Sequence, residues 1–187
     1  VGGIICSTQE FVSELIDVNH GASMLLGPTM DALRANSILK NLRTLHIRMK
    51  QHSYNGMYLA QKIQELGIPV FYPGLKEHPQ HQLMTSLMNE EFGYGGMVMI
   101  DAGSMKNAYD SMENMQKENV GYLAVSLGFY KTLFSAPGAS TSSEIPEEEQ
   151  IEMGISEGMV RISVGLDNDI ERSFQKIKSC MKKINLI

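Results

Sequence analysis

Met159-Val160-Arg161-Ile162-Ser163-Val164-Gly165 reads as a short β-strand with one arginine inside it. Side chains alternate across a strand, so Val160, Ile162 and Val164 share one face while Arg161 and Ser163 share the other. The apolar face needs a layer to bury it, and the C-terminal stretch provides one. Ile170, Phe174, Ile177, Met181 and Ile184 recur at helical spacing, Asp167 or Asn168 stands where an N-cap is needed, and Lys176, Lys178, Lys182 and Lys183 lie toward the negative end of the dipole. On the opposite face the Arg161 guanidinium must find a partner, because a charge left unpaired in a short apolar strand is costly. Its planar fork suits a carboxylate, either that of a protein Asp or Glu or that of an amino-acid ligand.

Working upstream, strands and helices alternate. Leu123 to Leu127, Gly96 to Ala102 and Val70-Phe71-Tyr72 read as strands. Lys106 to Glu118 reads as a helix burying Ala108, Met112 and Met115, and Gln80 to Asn89 as a helix with Leu83, Met84, Leu87 and Met88 on its apolar side. Ser135 to Gln150 is expected to be an ordered loop closing on a short helix with Pro146 in its first turn. A sheet interleaved with helices is an α/β or α+β domain. Val125-Ser126-Leu127-Gly128 ends one of its strands on a hydroxyl and a glycine, the setting of an ordinary turn or of an anion-binding strand end.

The first third is different in pattern. Val1 to Ser7 reads as a buried strand and Gln9 to Val18 as a helix broken by Asn19-His20-Gly21. From Asp31 to Leu66 the apolar spacing is helical, with Leu42, Leu45, Met49, Gly56, Leu59, Ile63 and Leu66 on one stripe until Gly67-Ile68-Pro69 stops it. A single helix beyond Lys40 would run about 26 residues and about 39 Å, a length that commonly links two domains. The expected boundary therefore falls at Gly67, with 1–66 the end of one domain plus its linking helix and 67–187 a second, smaller one. The start in mid-strand without an initiator Met gives the further expectation that the 187 residues are the later part of a longer chain.

Composition narrows the function classes. With 187 residues and a 43% hydrophobic content there is enough for one ordinary core or two small ones, and a net charge of -5 argues against holding nucleic acid by phosphate neutralisation. No apolar run approaches the roughly 18–20 residues of a membrane span. Cys6 and Cys180 stand near opposite ends and suggest neither a metal site nor a disulfide framework, so a reducing, cytoplasmic setting is expected. His78 and His81 lack a companion Cys, Asp or Glu at ligand spacing, and His46 and His52 fall on roughly opposite helix faces, so no metal is expected. Gly93-Tyr94-Gly95-Gly96 lacks the Lys-Ser/Thr of a P-loop. Lys131, three residues beyond Gly128, is the one lysine outside an evident solvated helix face or loop, and a surface role is its default.

Read together, the segments resemble the Cys/Met-metabolism (transsulfuration) family of pyridoxal-phosphate (PLP) enzymes, which includes methionine γ-lyase, cystathionine γ-lyase and cystathionine γ-synthase. The matching runs are Leu42-Arg43-Thr44-Leu45 with Arg48-Met49 and His52, Tyr72-Pro73-Gly74-Leu75 with His78-Pro79 and His81, Ala124-Val125-Ser126-Leu127-Gly128, and Gly158 with Val160 to Leu166. The resemblance covers essentially the whole chain in order. It implies the C-terminal portion of a fold-type-I (aspartate-aminotransferase-like) enzyme: a small α+β domain preceded by a long linking helix. It implies that Arg161 grips the substrate α-carboxylate and that Ser126 and Leu127 line the same site. It also implies that the Schiff-base lysine and the cofactor cradle lie upstream of Val1, so that the chain holds no catalytic or cofactor-binding residue itself. A sulfur amino acid as substrate, the missing N-terminal portion as partner, PLP in the intact protein and a homotetramer of site-sharing dimers follow from the same resemblance. The alternatives are a cystathionine γ-synthase or O-acetylhomoserine sulfhydrylase type, or a non-catalytic binding domain if the chain exists alone. Gly128-Phe129-Tyr130-Lys131, Ala136-Pro137 and Ser140-Thr141-Ser142 depart from the family pattern beside the expected substrate pocket.

Overall fold

The computed structural model of the chain describes residues 3–138, 140 and 142–187. They divide into two compact units, Val1–His46 and Ile47–Ile187, and the second contains a five-stranded mixed sheet. Its strands are β1 (Val70–Phe71), β2 (Met97–Asp101), β3 (Gly121–Leu123), β4 (Thr132–Ser135) and β5 (Met159–Ser163), in the order β1-β2-β5-β4-β3. All neighbours are antiparallel except β3 and β4, which are parallel. The strand carrying Arg161 is thus the centre of the sheet. Val98, Ile100, Phe134, Val160, Ile162 and Val164 are buried on one face, as alternation predicts.

Helices cover that face. Numbered along the chain, they are α1 (Gln9–Leu15), α2 (Ala22–Leu26), α3 (Ala32–Leu42), α4 (Leu45–Gln64), α5 (His81–Leu87), α6 (Met105–Lys117), α7 (Glu147–Glu152) and α8 (Ile170–Lys183). The core joins the sheet to Leu59, Ala60 and Ile63 of α4, Ala108, Met112 and Met115 of α6, and Ile170, Phe174, Ile177 and Met181 of α8. The cap of α8 falls after both expected positions, Asp167 and Asn168: the Asp169 carboxylate accepts from the Arg172 N–H at 3.1 Å, while Asp167 accepts from the Asp169 N–H and the Ser173 hydroxyl.

Five expectations change. The single helix beyond Lys40 is two, α3 and the 20-residue α4, about 30 Å long. The reason is local: both the N–H and the hydroxyl of Thr44 reach the Asn41 carbonyl three residues back, and this tight turn closes α3. Residues 3–7 form no strand, because no strand of the described residues lies beside them to complete a ladder; residues 1 and 2 of that expectation lie outside the described residues. The strand expected over Leu123 to Leu127 ends at Leu123, and Ser135, expected to begin a loop, is the last residue of the buried strand Thr132–Ser135. In α5 the apolar expectation turns round: Leu83 and Leu87 are exposed, and Met84 and Met88 half-buried, because His81 stacks on Tyr94 and Thr85 shares a hydrogen bond with the Tyr94 hydroxyl, orienting that short helix. Pro146 precedes α7 as its N-cap residue rather than lying within its first turn.

Helix α4 is joined to the end of β5 by polar groups. The buried His52 donates from Nδ1 to the Val164 carbonyl at 2.7 Å, and Asn55 donates to the carbonyls of Gly165 and Asp167 at 2.9 and 2.8 Å. A carbonyl can only accept, so it fixes the proton of His52 on Nδ1. Gly56 lets the helix approach the Gly95-Gly96 backbone, since a Cβ there would stand 2.7 Å from the Gly95 oxygen.

In the first unit, α1, α2 and α3 contain no buried residue.

Candidate functional site

The face of the sheet opposite the helices carries a transverse row of side chains. Cross-strand partners point to the same face, and Phe71, Met99, Arg161 and Ser135 are successive partners across β1, β2, β5 and β4. A second row holds Met97, Ser163, Leu133 and Tyr122. No helix is needed to explain what lies over this face, because the chain itself crosses it. Parallel neighbours require a return connection, usually of about a dozen residues or more; between β3 and β4 the segment 124–131 makes it without a helix.

That segment is pinned to β5 and to the residues that follow it. The Arg161 guanidinium donates from Nη2 to the Val125 carbonyl at 3.0 Å, the Gly128 N–H donates to Ser163 Oγ at 3.1 Å, and the Leu166 N–H donates to the Tyr130 carbonyl at 2.8 Å. Ser126 and Leu127, both exposed, lie between the first two pins. Near its end the segment passes so close that a Cβ on Gly165 would meet the backbone of Tyr130, Lys131 and Thr132 at 2.6 Å.

The three residues named from sequence are therefore held by one strand and one connection. Arg161 forms no ion pair with a carboxylate among the described residues, so a backbone carbonyl is its partner here. A guanidinium has five N–H donors in a fork, which leaves capacity for a carboxylate. Sequence reasoning placed Ser163 beside Arg161 but did not give it a task; it holds the connection through Gly128. Ser135 is not among the residues named from sequence, because Thr132-Leu133-Phe134-Ser135 does not alternate polar with apolar and all four of its residues are buried. Lys131 stacks its ammonium on the Tyr122 ring, 5.5 Å from the centroid.

The remaining candidates have structural partners. His78 Nδ1 accepts from the Gln80 N–H at 3.1 Å and His81 Nδ1 donates to the Pro73 carbonyl at 2.8 Å. Among the described residues no three His, Cys, Asp or Glu side chains stand close enough to hold a metal ion, and no helix is long and apolar enough to cross a membrane.

The sequence profile of the Cys/Met metabolism PLP-dependent enzymes matches residues 1–177. The chain belongs to this family. It is 37% identical over 185 residues to a methionine gamma-lyase of Arabidopsis thaliana, matching 98% of this chain and 42% of that protein, and 30% identical over 187 residues to a cystathionine gamma-lyase of Bacillus subtilis, matching 98% and 46%. It thus spans less than half the length of the curated relatives it matches. The fold also matches, with a TM-score of 0.71 at 28% identity, a crystal structure described as an O-acetylhomoserine (thiol)-lyase of Campylobacter jejuni that carries pyridoxyl-lysine monophosphate; 77% of this chain and 34% of that one are covered. The family fold is the α/β arrangement expected from sequence, and PLP is the family's cofactor. The residues gathered on the open face do not fit that cofactor as a resident group: Arg161, Ser135, Ser163 and Met99 include one cation, and the lysine of the connection, Lys131, lies over the Tyr122 ring.

Proposed function

We propose that the polypeptide carrying this chain is a PLP-dependent carbon–sulfur lyase acting on a sulfur amino acid, of the methionine γ-lyase or cystathionine γ-lyase type. This chain would provide the grip on the substrate α-carboxylate. The observation that carries the reading is the environment of Arg161: a guanidinium on the central strand, on the face opposite the buried Val160 and Ile162, whose hydrogen-bond partner is a main-chain carbonyl. Ser126 and Leu127 would line the same site, and 1–66 and 67–187 would be the end of the large domain with its linking helix and the small C-terminal domain. The lysine that moves the substrate proton would come from the N-terminal portion, and the assembly would be a cytoplasmic homotetramer of dimers.

Arg161→Ala in the intact enzyme is expected to lower kcat/KM by roughly 2–4 kcal/mol, in the range for lost charged hydrogen bonds. An unchanged kcat/KM removes Arg161 from the site. Arg161→Lys keeps the charge without the fork and is expected to fall between the two.

Likeness to an O-acetylhomoserine (thiol)-lyase favours a second reading in the same family, a synthase or sulfhydrylase type. Product analysis with methionine, cystathionine and O-acetylhomoserine separates them. A third, a non-catalytic binding or assembly domain, is favoured by the absence of a lysine in a cofactor-type setting among the described residues. A visible absorption band that survives gel filtration after mixing the chain with PLP would exclude it.

A further inference from the structure

Arg161 on β5 reaches a carbonyl at residue 125, beyond the end of β3, and β4 lies between those two strands. The β4 residue directly opposite Arg161 is Ser135, on the same face. The arginine side chain must therefore cross above Ser135 to make its bond. Ser135 is 5% exposed, and its hydroxyl and that of Tyr58 are the buried side-chain polar atoms without a partner among the described residues. The other polar groups of this face are occupied: Ser163 accepts from Gly128, and the Asp101 carboxylate accepts from the Gly103 N–H and the Ser156 hydroxyl. A buried hydroxyl with no hydrogen bond is uncommon and destabilising.

We infer that Ser135 is a carboxylate-site residue held in reserve beneath Arg161. In the unliganded chain the Val125 carbonyl occupies the guanidinium. A ligand carboxylate, a stronger acceptor because it is charged, exchanges with that carbonyl; the arginine arm lifts off β4, and the uncovered Ser135 hydroxyl donates to the same carboxylate. Two donors from adjacent strands then fix its position, and the small size of Ser135 is what allows the arm to lie flat when the site is empty. No covalent bond changes in this exchange. It rests on the proposed reading of Arg161 and adds a second donor to it.

The test uses Ser135→Ala, which removes the hydroxyl and little else. First, its thermal midpoint is expected to equal or exceed that of the parent chain, since an unsatisfied buried group has been deleted; a lowered midpoint means that the hydroxyl has a structural partner, and overturns the inference. Second, in the intact cofactor-loaded enzyme, calorimetry compares L-norleucine with L-norleucinol, the same skeleton without the carboxylate. Ser135→Ala is expected to weaken norleucine about tenfold and leave norleucinol unchanged. Equal losses for both, or no loss for norleucine, overturn it. Arg161→Ala is the control that separates this inference from the reading beneath it. If Arg161→Ala abolishes the preference for the acid and Ser135→Ala does not touch it, only the role of Ser135 fails; if Arg161→Ala keeps the preference, the carboxylate site itself fails.

Discussion

Gly165 shows how a single missing side chain holds the candidate site together. The connection over the open face turns into β4 against it, and the Gly165 N–H donates to Thr132 Oγ1 at 3.0 Å. Gly165→Ala would place a methyl 2.6 Å from three backbone atoms, none of which belongs to a flexible side chain. The expected cost is about 1–3 kcal/mol, as for overpacking elsewhere, with Ser126 and Leu127 displaced along with the connection; chemical denaturation measures the first and substrate affinity of the intact enzyme the second. Residue identity also sets thiol chemistry. Burial raises the pKa of Cys180 above that of an ordinary thiol, whereas Cys6 is exposed. A thiolate-selective reagent at neutral pH is therefore expected to leave Cys180 unmodified until the protein unfolds, which mass spectrometry with and without denaturant reads directly.

At the scale of elements, α8 is the chief clamp on the closed face of the sheet. Phe174 is 5% exposed and meets Tyr58 of α4 edge-to-face at 6.4 Å. Phe174→Ala is expected to cost about 3–5 kcal/mol, read from a denaturation midpoint. The C-terminal end of the helix is tied to the end of α6 by Lys183 and Glu118 at 2.7 Å, with Lys176 donating to the Glu118 carbonyl. The hydrogen bond from Lys183 holds the Glu118 carboxyl below its ordinary value of 4.5, and the same bond raises Lys183 above 10.5. Stability from the carboxylate is present above pH 4.5 and lost as the pH falls through its lower folded value; that from the ammonium is present below pH 10.5 and lost as the pH rises through its higher one. Both groups are exposed, so the contribution is small and salt-screened. Comparing Glu118→Gln with the parent across the acid range is expected to show a difference at neutral pH that shrinks as the pH falls below 4.5.

On the scale of the whole chain, the contrast between the units has consequences. Residues 47–187 enclose a core, whereas in 3–46 the largest apolar side chains are outside, with Ile4 at 75% and Leu26 and Leu33 at 83% exposure. A segment that buries little opens readily. Limited proteolysis of the isolated chain is expected to cut within 3–46 first and leave a fragment beginning near Ile47; a first cut inside the sheet would contradict this. Exposed apolar surface of this kind also favours association, so replacing Leu26 and Leu33 by lysine is expected to reduce the apparent mass of the isolated chain in sedimentation.

Local pattern was sufficient for β2, β5, α6 and α8, because each alternates or repeats with a period that one buried face imposes. The amino-acid order likewise singled out Arg161, since a charge among β-branched residues stands out without coordinates, and the spaced motifs around it carried the family. What it could not determine is pairing. Whether residues 3–7 or 124–127 form strands depends on a neighbour, whether Asn41 to Thr44 continues a helix depends on one hydrogen bond, and the site depends on which residue faces Arg161 across the sheet. Those are distances between residues far apart in the chain, and only the tertiary structure sets them: it put β4 between β3 and β5, carried the arginine across it, and left Ser135 underneath.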